Sequence, residues 1–246
     1  MTLDGALLFG RFAFPPNQLG YCGPEDHPAL LQYVSEGSPD QGLVELGRHF
    51  EGAYPYLCLI AHANGIADPF DPRVVEAYWL GNRLLSGVDG QAMYRSLQER
   101  FAKRIEAKQF SWLLPKLEAG AHPHHNFHVF DINTRAGHLR GVRSTLLVEA
   151  LDSCRISWGT VTAVEADKLV LQRKPLRHGH DGLYLDAPEQ VRVTWQVDGR
   201  GLAPDAKVGD TVAVHWNWAC LRLDETRLRQ LTAATARCLT WANQTM

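Results

Sequence analysis

The chain has 246 residues, of which 45% are hydrophobic and 21% are charged, and its formal net charge is −2. This length allows one large domain or two ordinary ones, each with a sizeable core. The near-neutral charge argues against binding to nucleic acid or to an anionic membrane, because both need a basic protein surface. The longest apolar runs, such as YPYLCLIA, are too short for a transmembrane helix.

The N-terminal residues MTLDGALLFGRF lack the basic start, the long apolar stretch and the cleavage site of a secretory signal. The five cysteines are an odd number without paired spacing, so they do not have the pattern of a disulfide framework. We therefore expect a cytoplasmic protein with reduced cysteines.

Residues 25–120 are predicted to be helical. Apolar residues recur with a helical period after Asp71 and again in GQAMYRSLQERFAKRIEA, and glycines mark a turn between these two segments. Shorter helices are predicted over 54–64 and 110–118. This half of the sequence is therefore predicted to be an all-helical domain.

Beyond residue 125 the apolar period changes to two, which is typical of strands. The predicted strands lie in NFHVFDI, RISWGTVTAV, KLVLQRK, VRVTWQV and TVAVHWNWACL. A linker is expected over 146–153, a loop over 177–189, and a last helix after its N-cap candidate Asp224. The sequence thus predicts an α+β fold, in which a helical N-terminal domain (1–145) is followed by a small OB-like β-barrel with a C-terminal helix (146–246).

Two fragments of the second half carry a resemblance to a known family. CRISWGTV begins at Cys154, and VGDTVAVHWNWACLRLD contains His215 and is followed by a helix. In this order the fragments resemble the HypC/HupF-type chaperones of nickel–iron hydrogenase maturation, over residues 150–243. The resemblance implies an accessory protein rather than an enzyme, which carries an iron centre and binds the hydrogenase large subunit or other maturation proteins. It also implies that Cys154 and His215 hold the iron.

The first half is similar to an uncharacterised bacterial family. The stretch that carries this similarity is LLFGRFAFPPNQLGYCGPEDH, and the similarity extends over 1–145. It implies no activity.

The alternation of side chains along a strand can be applied to His215. Val212, Val214, Trp216 and Trp218 would share the core face, and His215 would lie on the opposite face. His215 is therefore either a solvated surface histidine or half of an iron-binding pair. Thiolate and imidazole are both suitable iron ligands, which fits the second reading. For Cys154 the alternative is a small buried hydrophobic residue.

A competing hypothesis is a metal-dependent enzyme that uses non-haem iron or haem. The segment AHPHHNFHVFD supplies the candidate ligands His124, His125 and His128, and Cys22 or Glu76 could join them between the two domains. On a strand, however, His124 and His128 would be about 13 Å apart, too far to bind one metal ion without a bend. The alternative is a loop that joins the two domains and contains these histidines without binding a metal.

Two of these candidates carry expectations of their own. Cys22 precedes a predicted helix, a position that can lower the pKa of a thiol. Glu76 lies in an apolar stripe and would need a partner such as Arg11, Arg48 or His62 if it is buried.

Overall fold

The computed structural model describes residues 3–135, 144–203 and 205–245. It has the predicted α+β architecture, with helices first, then a small sheet and a last helix. The helices are α1 (Gly5–Gln18), α2 (His27–Glu36), α3 (Gln41–Arg48), α4 (Tyr54–Ala63), α5 (Pro72–Trp79), α6 (Gly90–Phe101), α7 (Ala107–Glu118), α8 (His125–Phe127), α9 (Ser144–Cys154) and α10 (Glu225–Asn243). A 3-10 helix spans Arg83–Gly87, and α8 continues as a π-helix over His128–Asn133.

Helix α1 begins well before residue 25, where the helical region was predicted to start. The carboxylate of Asp4 caps it by accepting the backbone N–H groups of Ala6 and Leu7 at 2.8 and 3.1 Å. Almost the whole helix is buried. A Cβ atom at Gly5 would lie only 1.7 Å from the carbonyl oxygen of Phe70, so only glycine allows this close approach of the two backbones.

The strands of the second half are β1 (Ser157–Val164), β2 (Lys168–Arg173), β3 (Leu176–Gly179), β4 (Gly182–Leu185), β5 (Glu189–Thr194), β6 (Gln196–Val197), β7 (Arg200–Gly201), β8 (Thr211–His215) and β9 (Trp218–Leu223). Five of them pair in the cyclic order β1-β2-β5-β9-β8, so the sheet closes on itself as a small barrel. A parallel bridge between Thr194 and Trp218 joins β5 to β9, and the other pairings are antiparallel. Five strands in this arrangement are typical of an OB-like barrel.

The barrel has its own small core, and its outer face packs against the helices. Val161, Leu171, Val212 and Val214 belong to the barrel core. Residues on the outer face of the β8–β9 hairpin belong instead to a larger cluster that includes α1, α5 and α10. The helices packed on this outer face determine whether His215 is buried or exposed. Among the described residues, no helix combines the length and the hydropathy that a membrane crossing requires.

Three local predictions are wrong. The segment NFHVFDI, predicted as a strand, is helical over His125–Asn133, and 125–132 is buried on all sides. A segment that is buried all round has no polar face, so its apolar period cannot distinguish a helix from a strand. The linker predicted over 146–153 is part of α9, which is fixed to the barrel by buried ion pairs described below. The loop predicted over 177–189 contains most of the β3–β4 hairpin.

Candidate metal site

His215 ends β8 and points away from the interior of the barrel, towards α1. Its side chain is buried, with 1% of the residue exposed, and its Nδ1–H donates to the carbonyl oxygen of Phe12 at 2.7 Å. Because a neutral imidazole carries one proton, Nε2 then has a free lone pair. Nε2 is buried and makes no hydrogen bond of ordinary geometry with a described residue, although the backbone of Cys154 is close enough to raise the pKa of His215. It is therefore available to a metal ion.

The strand alternation around His215 was predicted only in part. Val212 and Val214 do face the barrel core, and His215 does lie on the opposite face. The expectation of a solvated surface histidine is wrong, because α1 covers that face. The assignment of Trp216 and Trp218 to the barrel-core face is also wrong. Trp216 and Asn217 have φ values of 44° and 60° and form the hairpin turn, which breaks the alternation.

Cys154 is the last residue of α9 and is half-buried beside His215. Its position is fixed by the neighbouring residues Asp152 and Arg155. Asp152 accepts from Arg155 at 2.8 Å and from Arg173 of the barrel at 2.6 Å. It also accepts the backbone N–H of Leu176 at 3.0 Å. These buried, charge-assisted contacts hold the end of α9 against the barrel.

His125 completes the cluster from the start of α8. Its Nε2–H donates to the carbonyl oxygen of Cys154 at 2.9 Å, which leaves Nδ1 to accept the hydroxyl of Tyr78 at 3.2 Å. The next residue, Asn126, bonds the backbone of Ile156 in both directions, at 2.7 and 3.1 Å. Asn126 thus ties the segment that carries His125 to the segment that follows Cys154.

Ligand atoms from His125, Cys154 and His215 all lie within 4.8 Å of one another, and this cluster could hold a metal ion. To bind one ion at about 2.0–2.3 Å each, the sulfur and the two nitrogens would have to move closer together, and His125 would exchange one of its two hydrogen bonds for the metal. The structure therefore brings together Cys154 and His215, the pair that the chaperone resemblance implies. It adds His125 from the set considered for an enzyme.

Burial favours the neutral form of all three side chains. It lowers the pKa of His215 to about 4 and lowers the pKa of His125 well below 6.5, so both imidazoles are neutral ligands at neutral pH. Burial of the Cys154 thiol raises its pKa to about 12, which the side chain of Trp216 opposes. Without a cation, Cys154 is therefore a thiol, and a bound cation would replace the proton.

Metal binding is therefore expected to release about one proton, from Cys154 alone. The apparent affinity for a divalent cation should rise about tenfold per pH unit between about pH 6 and about pH 8. Competition with a chromophoric chelator at each pH measures this slope, and Cys154→Ala should flatten it. A slope of zero in the wild-type protein would show that the thiol does not bind the ion.

A short loop lies near the cluster, because Cys22 interacts electrostatically with Cys154. Asn17 holds the loop by donating to the carbonyl oxygens of Cys22 and Pro24 at 2.8 and 2.6 Å. The ring of Tyr21 stacks on Trp216, with 4.5 Å between the ring centroids. The expected lowering of the Cys22 pKa is wrong: burial, followed by the charge of Cys154, raises it to about 12. Cys22 lies near the cluster but is not a member of it.

The other sequence candidates lie outside the cluster. His124 caps α8, since its Nδ1 accepts the backbone N–H of Asn126 at 3.0 Å. His128 is hydrogen-bonded through Nδ1 to the hydroxyl of Tyr56 at 3.0 Å. Glu76 forms an ion pair with Arg227 at 2.8 Å. Its partner is therefore none of the three residues expected from the sequence, which were Arg11, Arg48 and His62.

Several residues that shape the site were missed in the sequence. Asp152 and Asn126 act through contacts with distant parts of the chain, and no local pattern marks them. Tyr78 lies in the apolar helical segment after Asp71, although its hydroxyl reaches His125. A polar atom on an otherwise buried stripe is a usable signal, because a buried hydroxyl needs a partner.

Comparison with known proteins identifies the family. A family model described as "Family of unknown function (DUF6390)" matches residues 1–246, so the chain belongs to this family. The match covers the helical part and the barrel together. No curated protein and no solved structure matches the chain.

Proposed function

For this member of the DUF6390 family, we propose a role as an accessory protein of metallocentre assembly, most specifically in nickel–iron hydrogenase maturation. It would carry an iron fragment on Cys154, His215 and His125 and pass it to a partner protein. One observation carries the proposal. Cys154 and His215, which the HypC/HupF resemblance implies as iron ligands, lie in one cluster whose ligand atoms are within 4.8 Å of one another.

The donor set suits an iron fragment as cargo. A soft thiolate and neutral imidazoles bind iron well, and the cluster contains no carboxylate of the kind that selects magnesium or calcium. Three protein ligands leave positions on the metal for small ligands that travel with it. Cys154 is half-buried, and Cys22 of the neighbouring loop lies close to it, so a partner that moves this loop would gain access to the sulfur.

The partner test uses the protein in its own host cell. Tagged protein purified without oxygen should retain the hydrogenase large subunit or other maturation proteins, and deletion of its gene should lower hydrogenase activity. Cys154→Ala and His215→Ala should fail to restore that activity. Cys58→Ala, at a half-buried cysteine outside the cluster, should restore it and is the matched control. Full activity in the deletion strain, or full rescue by both cluster variants, would contradict the proposal.

A second candidate is a metal-dependent enzyme with a resident metal at this site. The observation that favours it is the position of the cluster between the helices and the barrel, with the hydroxyl of Tyr78 hydrogen-bonded to His125. The two candidates differ in what happens to the metal. A cargo should leave the protein when purified large subunit is added, whereas a resident metal should stay and support turnover.

A further inference from the structure

The structure has a cavity whose lining does not include His125, Cys154 or His215. It has a volume of about 340 Å³ and is formed where α1, α5, β9 and the start of α10 meet. Four arginines line it: Arg11, Arg73, Arg222 and Arg227. Glu76 and Asp205 are the two acidic residues of its lining. The described part of the wall therefore has an excess of positive charge.

Two of the four arginines are already neutralised. Arg73 makes two hydrogen bonds to the carboxylate of Asp71, at 2.9 and 2.7 Å. Arg227 bonds Glu76 at 2.8 Å and Asp224 at 3.0 Å. The charge of Glu76 is therefore already paired with that of Arg227. The remaining charges of the cavity are those of Arg11, Arg222 and Asp205.

Arg11 and Arg222 are poorly paired. Arg11 is half-buried, and its Nε is buried with no hydrogen-bond partner among the described residues. Asp205 acts on Arg11 only as a nearby charge, and burial lowers the pKa of the guanidinium. The carboxylate of Asp210 is 3.9 Å from Arg222, beyond hydrogen-bond distance. A buried guanidinium N–H without an acceptor is costly, and an anion would relieve that cost.

The rest of the wall is apolar. Leu8, Ala203 and Leu221 are buried and contribute to the lining, together with Leu3 and Pro72. The volume is at the lower end of the range for small-molecule sites, which is about 300–1,000 Å³. Two available arginines beside an apolar wall suit a ligand with one anionic group and one small hydrocarbon group.

We propose that this cavity binds a small organic carboxylate, whose carboxyl group contacts Arg11 and Arg222 and whose hydrocarbon part packs on Leu8 and Leu221. Arginine is suited to this role because its planar fork of N–H donors matches a carboxylate. The site is separate from the metal cluster and does not depend on the proposed function.

A matched pair of probes tests the proposal. N-acetyl-leucine carries the carboxylate, and N-acetyl-leucinamide has the same hydrocarbon group without the charge. Isothermal titration of the full chain should detect N-acetyl-leucine and should give an affinity for the amide at least about tenfold weaker. Arg11→Met and Arg222→Met should each weaken binding of N-acetyl-leucine by about tenfold or more. Arg48→Met, at an exposed arginine outside the cavity, should not change it.

Arg222 is exposed, so its variant can be tested even if Arg11→Met does not fold. Chemical-shift changes at Leu8 and Leu221 would locate the ligand in the cavity. The proposal is overturned if N-acetyl-leucine does not bind, if the amide binds equally well, or if Arg222→Met binds like the wild type. Binding that is preserved in Cys154→Ala supports a site separate from the metal cluster, and binding lost in that folded variant counts against it.

Discussion

Lowering the pH of the metal-free protein from about 7.5 to about 5 is expected to reduce its free energy of unfolding by about 6 kcal/mol. The cause is a group of buried, neutral histidines. Burial lowers the pKa of His124 to about 3 and of His215 to about 4, and lowers the pKa of His125 well below 6.5. Backbone hydrogen bonds of His124 and His215 raise these pKa values, but the effect of burial is larger.

The sign follows from proton binding. Between about pH 6.5 and about pH 4 the unfolded chain binds protons on these histidines, and the folded chain does not, so stability is lost as the pH falls. Each histidine contributes about 2 kcal/mol of loss at about pH 5. Raised pKa values of the thiols have no effect here, since thiols are protonated in both states. Because the total stability of a domain is about 5–15 kcal/mol, a loss of this size brings the protein close to unfolding.

Urea unfolding at a series of pH values, with a chelator present, measures the effect. His124→Asn keeps a capping side chain but removes one titrating group, so it should lower the pH dependence by about one third. His62→Asn, at an exposed position, is the control. Equal pH dependence in the wild type and in His124→Asn, or a free energy that does not change with pH, would contradict this interpretation.

Asp152→Ala is expected to destabilise the protein by about 3–5 kcal/mol, because it leaves a buried charge without its partner. The guanidinium of Arg155 has 1% of its side chain exposed, and burial lowers its pKa to about 10. Asp152 is the carboxylate that bonds Arg155, Arg173 and the backbone of Leu176. Its removal therefore breaks the contacts that attach the end of α9, and with it Cys154, to the barrel.

The free energy of unfolding in urea measures this effect at neutral pH. Asp167→Ala is the matched control, because Asp167 is exposed and lies 3.4 Å from Lys168 in a surface ion pair. Such pairs are worth about 0–1 kcal/mol. If Asp152→Ala costs no more than Asp167→Ala, the Asp152 network does not hold α9 in place.

The last helix and the strand that ends at His215 were predicted correctly. The last helix begins after Asp224, whose carboxylate accepts the N–H of Arg227 as an N-cap, and β8 alternates as expected up to His215. These patterns are local: a capping residue or an alternating strand is determined by its immediate sequence. The α+β class follows from them.

The layer that covers the barrel could not be predicted from such patterns. Alternation shows that His215 leaves the barrel core, but whether that face meets water depends on α1, whose residue Phe12 accepts the hydrogen bond from His215. Likewise, nothing in the sequence indicates that His125 lies beside Cys154 and His215. His125 lies beside Cys154 where Asn126 bonds the backbone of Ile156 across the fold. Contacts between distant segments leave no periodic signal in a single sequence.

X-ray absorption spectroscopy at the iron edge tests most directly whether Cys154, His125 and His215 bind one metal ion together. Protein loaded with ferrous iron without oxygen should show one sulfur and two histidine nitrogens around each iron atom. The sulfur should disappear in Cys154→Ala and remain in Cys58→Ala. A wild-type spectrum with only oxygen and nitrogen ligands, or a sulfur that remains in Cys154→Ala, would contradict the claim.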